Sequence, residues 1–547
     1  MKIQINTNHR VCVFLFRTTL TLAFLATTFS CKEDFLTEQP LDFANADVLL
    51  VNKAGFEAYI ISLHAAARDE TFLSDDSQQS LMNNATDAYI QAGRATNLLD
   101  YNVTLNANAG FVNYFWEWAY LKMLPRANTI ITYAERPTVA WSSEAEKNAV
   151  VAEARFFRAY AYHMLGLIYG DVPIVDELLL SPKYDFTRAP RRDVFELVVR
   201  DLEFAAQWLP ETTPHPGRVV RAAANHFLAE AYMIVGENEK AIAAATKVID
   251  NPRYALMRAR FGSKINEPGD VFSDLFRDNN QNLAANTETI WAIQFEFQTQ
   301  GGIASAGHGN NLMREWGPAY YNQPGMIVAD SMGRGAGRIM FSNYYAYDVW
   351  TSTDWKDMRN SRFNIRRGWT YNDPNHRLFG QVVDPIRDNI DTVYSARYYP
   401  YSRKLEGDPL AGEVYGRTFV DFYKMRLAET YLLRAEAHLR NGNPALAAQD
   451  INVVRQRAKA IPATAAEMTL DYILDERARE LVMEEHRRKT LHRFGYIVNQ
   501  PVLAQRIRKY NYKTGNAIQD FHVLWPIPQK FIDANSGNVI TQNPGYN

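Results

Sequence analysis

Four of the ten tryptophans, Trp316, Trp350, Trp355 and Trp369, lie between residues 316 and 401, with ten of the 30 tyrosines. Flat rings stack on the C–H faces of sugars and lose little side-chain entropy in doing so, while Asn, Asp and Arg bond the hydroxyls. The other use of such rings is packing, because a loop-rich region needs large anchors. Trp316, Tyr320, Tyr321, Trp350, Trp355 and Trp369 are the pool from which a stacking platform would be drawn. Asp75 and Asp76 offer half of a carboxylate pair of the kind that hydrolyses glycosides.

Other chemistries find no assembled motif. Glu484-Glu485-His486 lacks a His before the Glu and a second His four residues on, so one helical face there cannot hold zinc. It reads as a solvated or ion-paired face. Gly333, Gly335 and Gly337 are not followed by the Lys-Ser or Lys-Thr of a phosphate loop. Arg155 and Arg158 read as structural partners of carboxylates between helices, and His163 as a core histidine. The cysteines are Cys12 and Cys31, and nothing after Cys31 can form a disulfide, a thiolate metal site or a cysteine nucleophile. A formal net charge of -2 leaves no basic surplus for nucleic acid. No cofactor and no metal are expected.

Cys31 has a chemistry of its own. Lys2, His9, Arg10 and Arg17 make a positive start, and Thr18 to Phe29 is an apolar stretch of signal-core length, too short to span a bilayer. Small Ser30 precedes Cys31. This pattern predicts a signal peptide over 1–30, cleavage before Cys31 and lipid on that cysteine; the alternative is an ordinary secretory leader. Thr28 stands where a lipoprotein signal usually carries Leu. Lys32-Glu33-Asp34 resembles the acidic tag of Bacteroidetes surface lipoproteins.

The elements that must position these residues are mostly helical. Residues 31–45 read as a tether and 46–250 as a helical part. Trp116, Tyr120, Leu121 and Leu124 fall at helical spacing, as do Phe156, Phe157, Tyr160, Met164, Leu167 and Ile168. Gly170 and Pro173 stop the second of these helices, and another runs from Asp193 to Leu209. Ala229, Gly236 and Ala241 repeat the spacing of Ala435, Gly442 and Ala447. Small residues allow two antiparallel helices to approach, and the glycine turns the chain between them, which predicts two related helical hairpins. Between them, residues 251–420 lose the helical period. Nine of the 28 glycines lie between Gly301 and Gly337, which argues for long loops. Thr289 to Phe295 alternates like a strand. Residues 421–547 return to helix, with a charged helix expected from Leu470 to about Phe494 and a Pro- and Asn-rich tail.

Several stretches in order resemble one family. They are AEARFFRAYAYHMLGLIYGDVPIV (152–175), RRDVFELVVRDLEFAAQWLP (191–210), GRVVRAAANHFLAEAYMIVGENEKA, FYKMRLAETYLLRAEAHLRNGN, and DERARELVMEEHRRKTLHRFG with LWPIPQKFIDANSGNVITQNPGY. With the Cys31-to-Leu36 start, the chain resembles the SusD/RagB nutrient-binding outer-membrane lipoproteins of Bacteroidetes. The family usually has Asp where this chain has Thr490.

The resemblance implies a mainly α fold of tetratricopeptide-like helical repeats with an irregular, loop-rich insert carrying specificity. It implies a lipid-anchored protein on the outer face of the outer membrane that captures an oligosaccharide. Such a protein delivers its ligand to a SusC-like TonB-dependent transporter and is not an enzyme. It also brings Asp75 and Asp76 forward for hydroxyl contacts, since the family uses the loops of its first repeat. The alternatives are peptide capture within the same family, a glycan hydrolase, and a purely structural helical scaffold.

Overall fold

Ala229, Ala241, Ala435 and Ala447 are all fully buried where paired helices meet, and Gly236 and Gly442 turn the chain with φ of +86° and +77°. The computed structural model of the chain describes residues 46–546 apart from 73–77, 93–97, 298, 300–308, 329–331, 351–355, 385–395 and 408–416. Residues 46–49, a short helix, belong to a separate N-terminal unit, and residues from Leu50 onward form a second. Cys31 and its signal lie outside the described residues.

The fold is mainly α and tetratricopeptide-like. Its principal helices are α1 (Lys53–Phe72), α2 (Gly110–Glu117), α3 (Leu124–Ala134), α4 (Glu144–Ile168), α5 (Arg191–Trp208), α6 (Arg221–Ile234) and α7 (Asn238–Ile249). After the insert with its short α8 (Leu312–Trp316) come α9 (Leu427–Arg440), α10 (Pro444–Arg457), α11 (Leu470–Leu481), α12 (Arg487–Val498) and α13 (Val502–Tyr510). Helices α3 to α7 pack in series, α7 packs on α9, and α9 on α10. Each repeat thus touches its neighbours, as in a solenoid, and the insert leaves and rejoins the stack between adjacent helices.

Helix α4 is the centre of the first half. Ser143 Oγ caps it by accepting from Glu146 N at 3.2 Å, and Gly170 follows it with φ of +80°. It is buried on nearly every side from Asn148 onward, so its polar side chains need internal partners. Arg158 provides a bidentate pair to Asp201 of α5 at 2.7 and 2.8 Å, and His163 meets Glu230 of α6 at 3.0 Å. The expected structural arginine and core histidine are both found here. Burial, outweighing Glu230, lowers the His163 pKa and favours the neutral ring.

Three expectations change. A π-helical turn, Trp118–Met123, joins α2 to α3; its extra residue per turn shifts the phase, and Leu121 is 69% exposed instead of inward. The charged helix expected over 470–494 is two helices, α11 and α12, parted at residues 482–486, where Met483 has φ of +69°. The break swings Glu484 and Glu485 inward, to Arg426 and Arg477 respectively, so this segment is ion-paired and not solvated. Within 46–250, read as helical, the three-residue strand β1 (Tyr89–Gln91) is too short to leave a period in sequence.

The remaining strands among the described residues are β2 (Thr289–Ile293), β3 (Ile339–Phe341), β4 (Ile365–Arg366), β5 (Tyr401–Ser402) and β6 (Phe422–Arg426). They form three antiparallel ribbons: β1 with β3 (Tyr89 opposite Phe341), β2 with β6 (Thr289 opposite Arg426), and β4 with β5. Strand β2 lies where alternation placed it. The ribbons of β1 and β6 stitch the insert to the flanking helices, which fixes the loops described next.

Candidate functional site

Tyr320 and Tyr321 occupy one 3-10 turn, Tyr320–Asn322, shortly after α8. Neighbouring residues in such a turn project about 120° apart, so the two rings take different roles. Tyr320 is fully buried and its hydroxyl donates to Gly333 O at 2.9 Å. Tyr321 is half-buried and its hydroxyl donates to Gly335 O at 3.0 Å. Backbone bonds draw the same segments together: Ala336 N to Arg314 O at 2.7 Å, Gly337 N to Gly317 O at 3.0 Å, and Ala319 N to Ala396 O at 2.7 Å. A Cβ on Gly335 would stand 2.1 Å from the Gly317 oxygen, so only glycine permits this approach.

These segments enclose a cavity of about 240 Å³ lined by Arg314, Tyr321, Asn322, Arg334 and the alanines 319, 336 and 396. The Arg334 guanidinium lies 5.6 Å from the centroid of the Tyr321 ring, within cation–π range. Arg314 donates Nη1 to Arg334 O at 3.4 Å. The lining therefore offers a ring, an amide and two guanidiniums. Its described residues can stack and donate hydrogen bonds, and none of them is suited to abstract a proton or attack a bond.

The other members of the aromatic pool are placed differently. Trp316 is 2% exposed, Trp350 0% and Trp369 7%, and with Tyr320 they belong to one buried apolar cluster. Trp316 meets Tyr89 edge-on at 4.7 Å, Trp369 meets Tyr398 edge-on at 5.3 Å, and Trp350 Nε1 donates to Tyr345 O at 2.8 Å. Trp316, Tyr320, Trp350 and Trp369, four members of the pool from which a platform would be drawn, are thus packed in the core. Of the described pool, Tyr321 lines the cavity above. Trp355, Asp75 and Asp76 lie outside the described residues. Arg314, Asn322 and Arg334 were not singled out from the sequence; for Arg334 the available signal was an arginine among the glycines of 317–337.

Volume does not select the site by itself. A larger cleft, about 430 Å³, lies between the π-helical turn, the 173–186 loop and the C-terminal tail. Trp116, Tyr120 and Phe531 cluster on it, with Trp116 4.9 Å from Tyr120 and 4.7 Å from Phe531. Part of its polar lining is committed: Tyr120 donates to Pro173 O at 2.6 Å, and Asn128 Nδ2 to Val175 O and Glu177 O at 2.9 Å each; Glu117, Ser181, Lys183, Tyr184 and Lys530 also line it.

One converging pair of carboxylates is equally committed. Glu476 and Glu480, one turn apart on α11, meet Arg359, Arg455, Arg479, Arg426 and Arg457. Burial pushes the Glu480 carboxyl up, but Arg457, Arg426, Arg359 and Lys404 outweigh it and hold it below the usual carboxylate range. Such groups stay ionised and are poor proton donors. Asp421 moves the other way, to about 7, raised by burial and by Glu296. It accepts from Phe295 N at 2.7 Å.

Comparison with known proteins agrees with this architecture. The model of the SusD family matches residues 287–546, and the model described as starch-binding, associating with outer membrane, matches 34–233. SusD-like protein P2 of Formosa agariphila is 25% identical over 542 residues, covering 96% of this chain and 98% of that protein. Starch-binding protein SusD of Bacteroides thetaiotaomicron is 32% identical over 164 residues, 30% of this chain and 28% of that one. Among solved structures, surface glycan-binding protein A of Bacteroides thetaiotaomicron in complex with laminarihexaose superposes with a TM-score of 0.67 at 19% identity. It covers 90% of this chain and 99% of that one. A laminarin-binding SusD-like protein gives 0.66 at 22%, over 90% and 100%. These structural likenesses establish a shared fold.

Proposed function

The chain belongs to the SusD/RagB family, and we propose from that premise that it captures a glycan at the cell surface. It holds the sugar without transforming it and delivers it to a SusC-like TonB-dependent transporter in the outer membrane. Lipid on Cys31 anchors it there, facing outward. The observation that carries the glycan reading is the Tyr321 cavity, set in the insert of a fold whose relatives include starch- and laminarin-binding proteins. Its half-buried ring and outward amide and guanidinium donors match the C–H faces and hydroxyls of a sugar.

The test is affinity of the purified mature protein for a panel of oligosaccharides, with product sizes followed in parallel. Binding is expected with product sizes unchanged. Tyr321→Ala should weaken it by about 1–3 kcal/mol, by analogy with base stacking on aromatic side chains, and leave the melting temperature close to wild type. Unchanged affinity in that variant removes the site from this cavity, and turnover of the glycan moves the protein to the hydrolases. Cys31→Ala should shift the protein from the membrane to the soluble fraction of intact cells.

A further inference from the structure

We propose that the cleft between the π-helical turn, the 173–186 loop and the C-terminal tail is a second binding site, and that it takes a neutral aryl group. It shares no lining residue with the Tyr321 cavity and does not rest on the glycan reading.

One wall is an irregular helical face. Glu117, Leu121 and Pro125 line the cleft as one row, and Trp116, Tyr120 and Leu124 as another, each at steps of four residues. Four residues exceed the roughly 3.6 of an α-helical turn, so such rows wind away from a common face. The π-helical turn Trp118–Met123 carries an extra residue and winds them back. Turns of this kind recur at functional sites, and this one keeps both rows along the cleft.

The other walls are tied to that face and to each other. Asn128 Nδ2 holds the loop through Val175 O and Glu177 O. Phe186 N donates to Asn535 Oδ1 at 2.8 Å, Asn535 Nδ2 returns to Phe186 O at 3.0 Å, and Gly537 N donates to Tyr184 O at 2.7 Å. The cleft is thus formed before a ligand arrives, which lowers the ordering cost of binding. Its volume of about 430 Å³ lies in the range of small-molecule sites.

The lining selects the ligand. Half-buried Phe531 lies 4.7 Å from Trp116, 6.3 Å from Tyr120 and 5.9 Å from Phe186, centroid to centroid. Such a cluster offers faces and edges to one more ring. Asn128 and Asn535, 1% and 5% exposed, spend their amides on partners within the chain, so the interior offers mainly apolar contact. Among the described residues the charged members of the lining are Glu117 and Glu177 against Lys183 and Lys530, so neither sign is in surplus. Lys530 pairs with Glu117 at 2.8 Å, and Lys183 with Asp185 at 3.1 Å. An ion gains little there, and a neutral ring fits. Exposed Ser181 and Tyr184 can bond a hydroxyl or ether oxygen on that ring.

The ring can arrive free or carried on a glycan, and the probes separate these sources. The full mature protein is titrated with naphthol, naphthyl β-glucoside, methyl β-glucoside, hexyl β-glucoside and naphthoate. Naphthyl glucoside or naphthol is expected to bind at least about tenfold more tightly than methyl glucoside. Hexyl glucoside should bind more weakly than the tighter aryl probe, and naphthoate about tenfold more weakly than naphthol. Tighter binding of the naphthyl glucoside assigns a ring carried on a glycan, and tighter binding of naphthol a free one. Leu121 is 69% exposed, so Leu121→Asp should weaken aryl binding about tenfold at unchanged melting temperature. Phe531→Ala should weaken it as well. Hexyl glucoside binding as tightly as the aryl probes, or naphthoate as tightly as naphthol, overturns the proposal. So does absence of aryl binding, or aryl binding lost in Tyr321→Ala and kept in Leu121→Asp.

Discussion

Arg426 in the core and Arg314 at the insert cavity place the same guanidinium in opposite surroundings. Arg426 is 1% exposed and donates to Glu484 at 2.6 Å, to Glu480 at 2.7 Å and to Glu288 at 3.2 Å. Those acids in turn meet Arg457, Arg359 and Lys404, so the network ties β6, α10 and α11 to the insert turn at Asp357. Every charge there is matched because an unmatched one in a dry interior costs several kcal/mol. At the cavity, Arg314 bonds a backbone carbonyl among the described residues and lines open space. An arginine surrounded by carboxylates has no donors left for a ligand; one that lines a cavity and bonds a backbone carbonyl has several. The identity of the residue does not distinguish these uses, and the neighbours do.

The comparison breaks if the two arginines respond alike to truncation. Arg426→Ala leaves Glu480, Glu484 and Glu288 buried with fewer partners and should cost about 3–5 kcal/mol of folding stability. Chemical denaturation measures this, and the glycan affinity of the folded protein should stay as in wild type. A loss below about 1 kcal/mol, the scale of a surface pair, would mean the network is solvated after all.

Acid should find the same network. The cations around Glu476 and Glu480 hold both carboxyls below the ordinary glutamate value of 4.5, against burial that pushes them up. The unfolded chain therefore binds more protons below pH 4.5, so the stability they contribute is complete above that pH and is lost as pH falls further. The neutral His163 adds to this below its ordinary 6.5, since the unfolded state takes up a proton that the buried ring resists. Melting temperature followed from pH 7 downward should fall modestly below 6.5 and steeply below 4.5. A flat profile through 4.5 would contradict the pairing.

Asp421 sharpens the comparison at the smallest scale, as a carboxyl whose shift no cation offsets. Raised from 3.8 to about 7, it binds a proton more readily folded than unfolded, so it lowers stability as pH rises through that window. Asp421→Asn keeps an oxygen for the Phe295 N–H and should raise the melting temperature by a few degrees at pH 8, with the gain vanishing toward pH 3.8. An equal gain at both ends would show that its charge is not the cause.

The sequence by itself determined the helical scaffold. The matched alanine–glycine–alanine spacings, the stop at Gly170 and the alternation at Thr289 are local signals, and each element they predicted is present. The family was legible for the same reason, since its motifs lie in those helices. Tertiary structure decided the rest. Whether a tryptophan of the insert faces a ligand or the core depends on chain segments far away in sequence: Tyr89 from the first half covers Trp316, and β1 pairs with β3 across some 250 residues. The same long-range packing turned Glu484 and Glu485 inward and broke a helix that charge pattern alone would have continued. It also brought Arg314, Tyr321 and Arg334 around one cavity, through a glycine contact between residues 317 and 335. Local periodicity records which face of a helix is apolar, because that burial is set by neighbours three and four residues away. A site assembled from loops leaves no such period, because its geometry comes from contacts that only the folded chain makes.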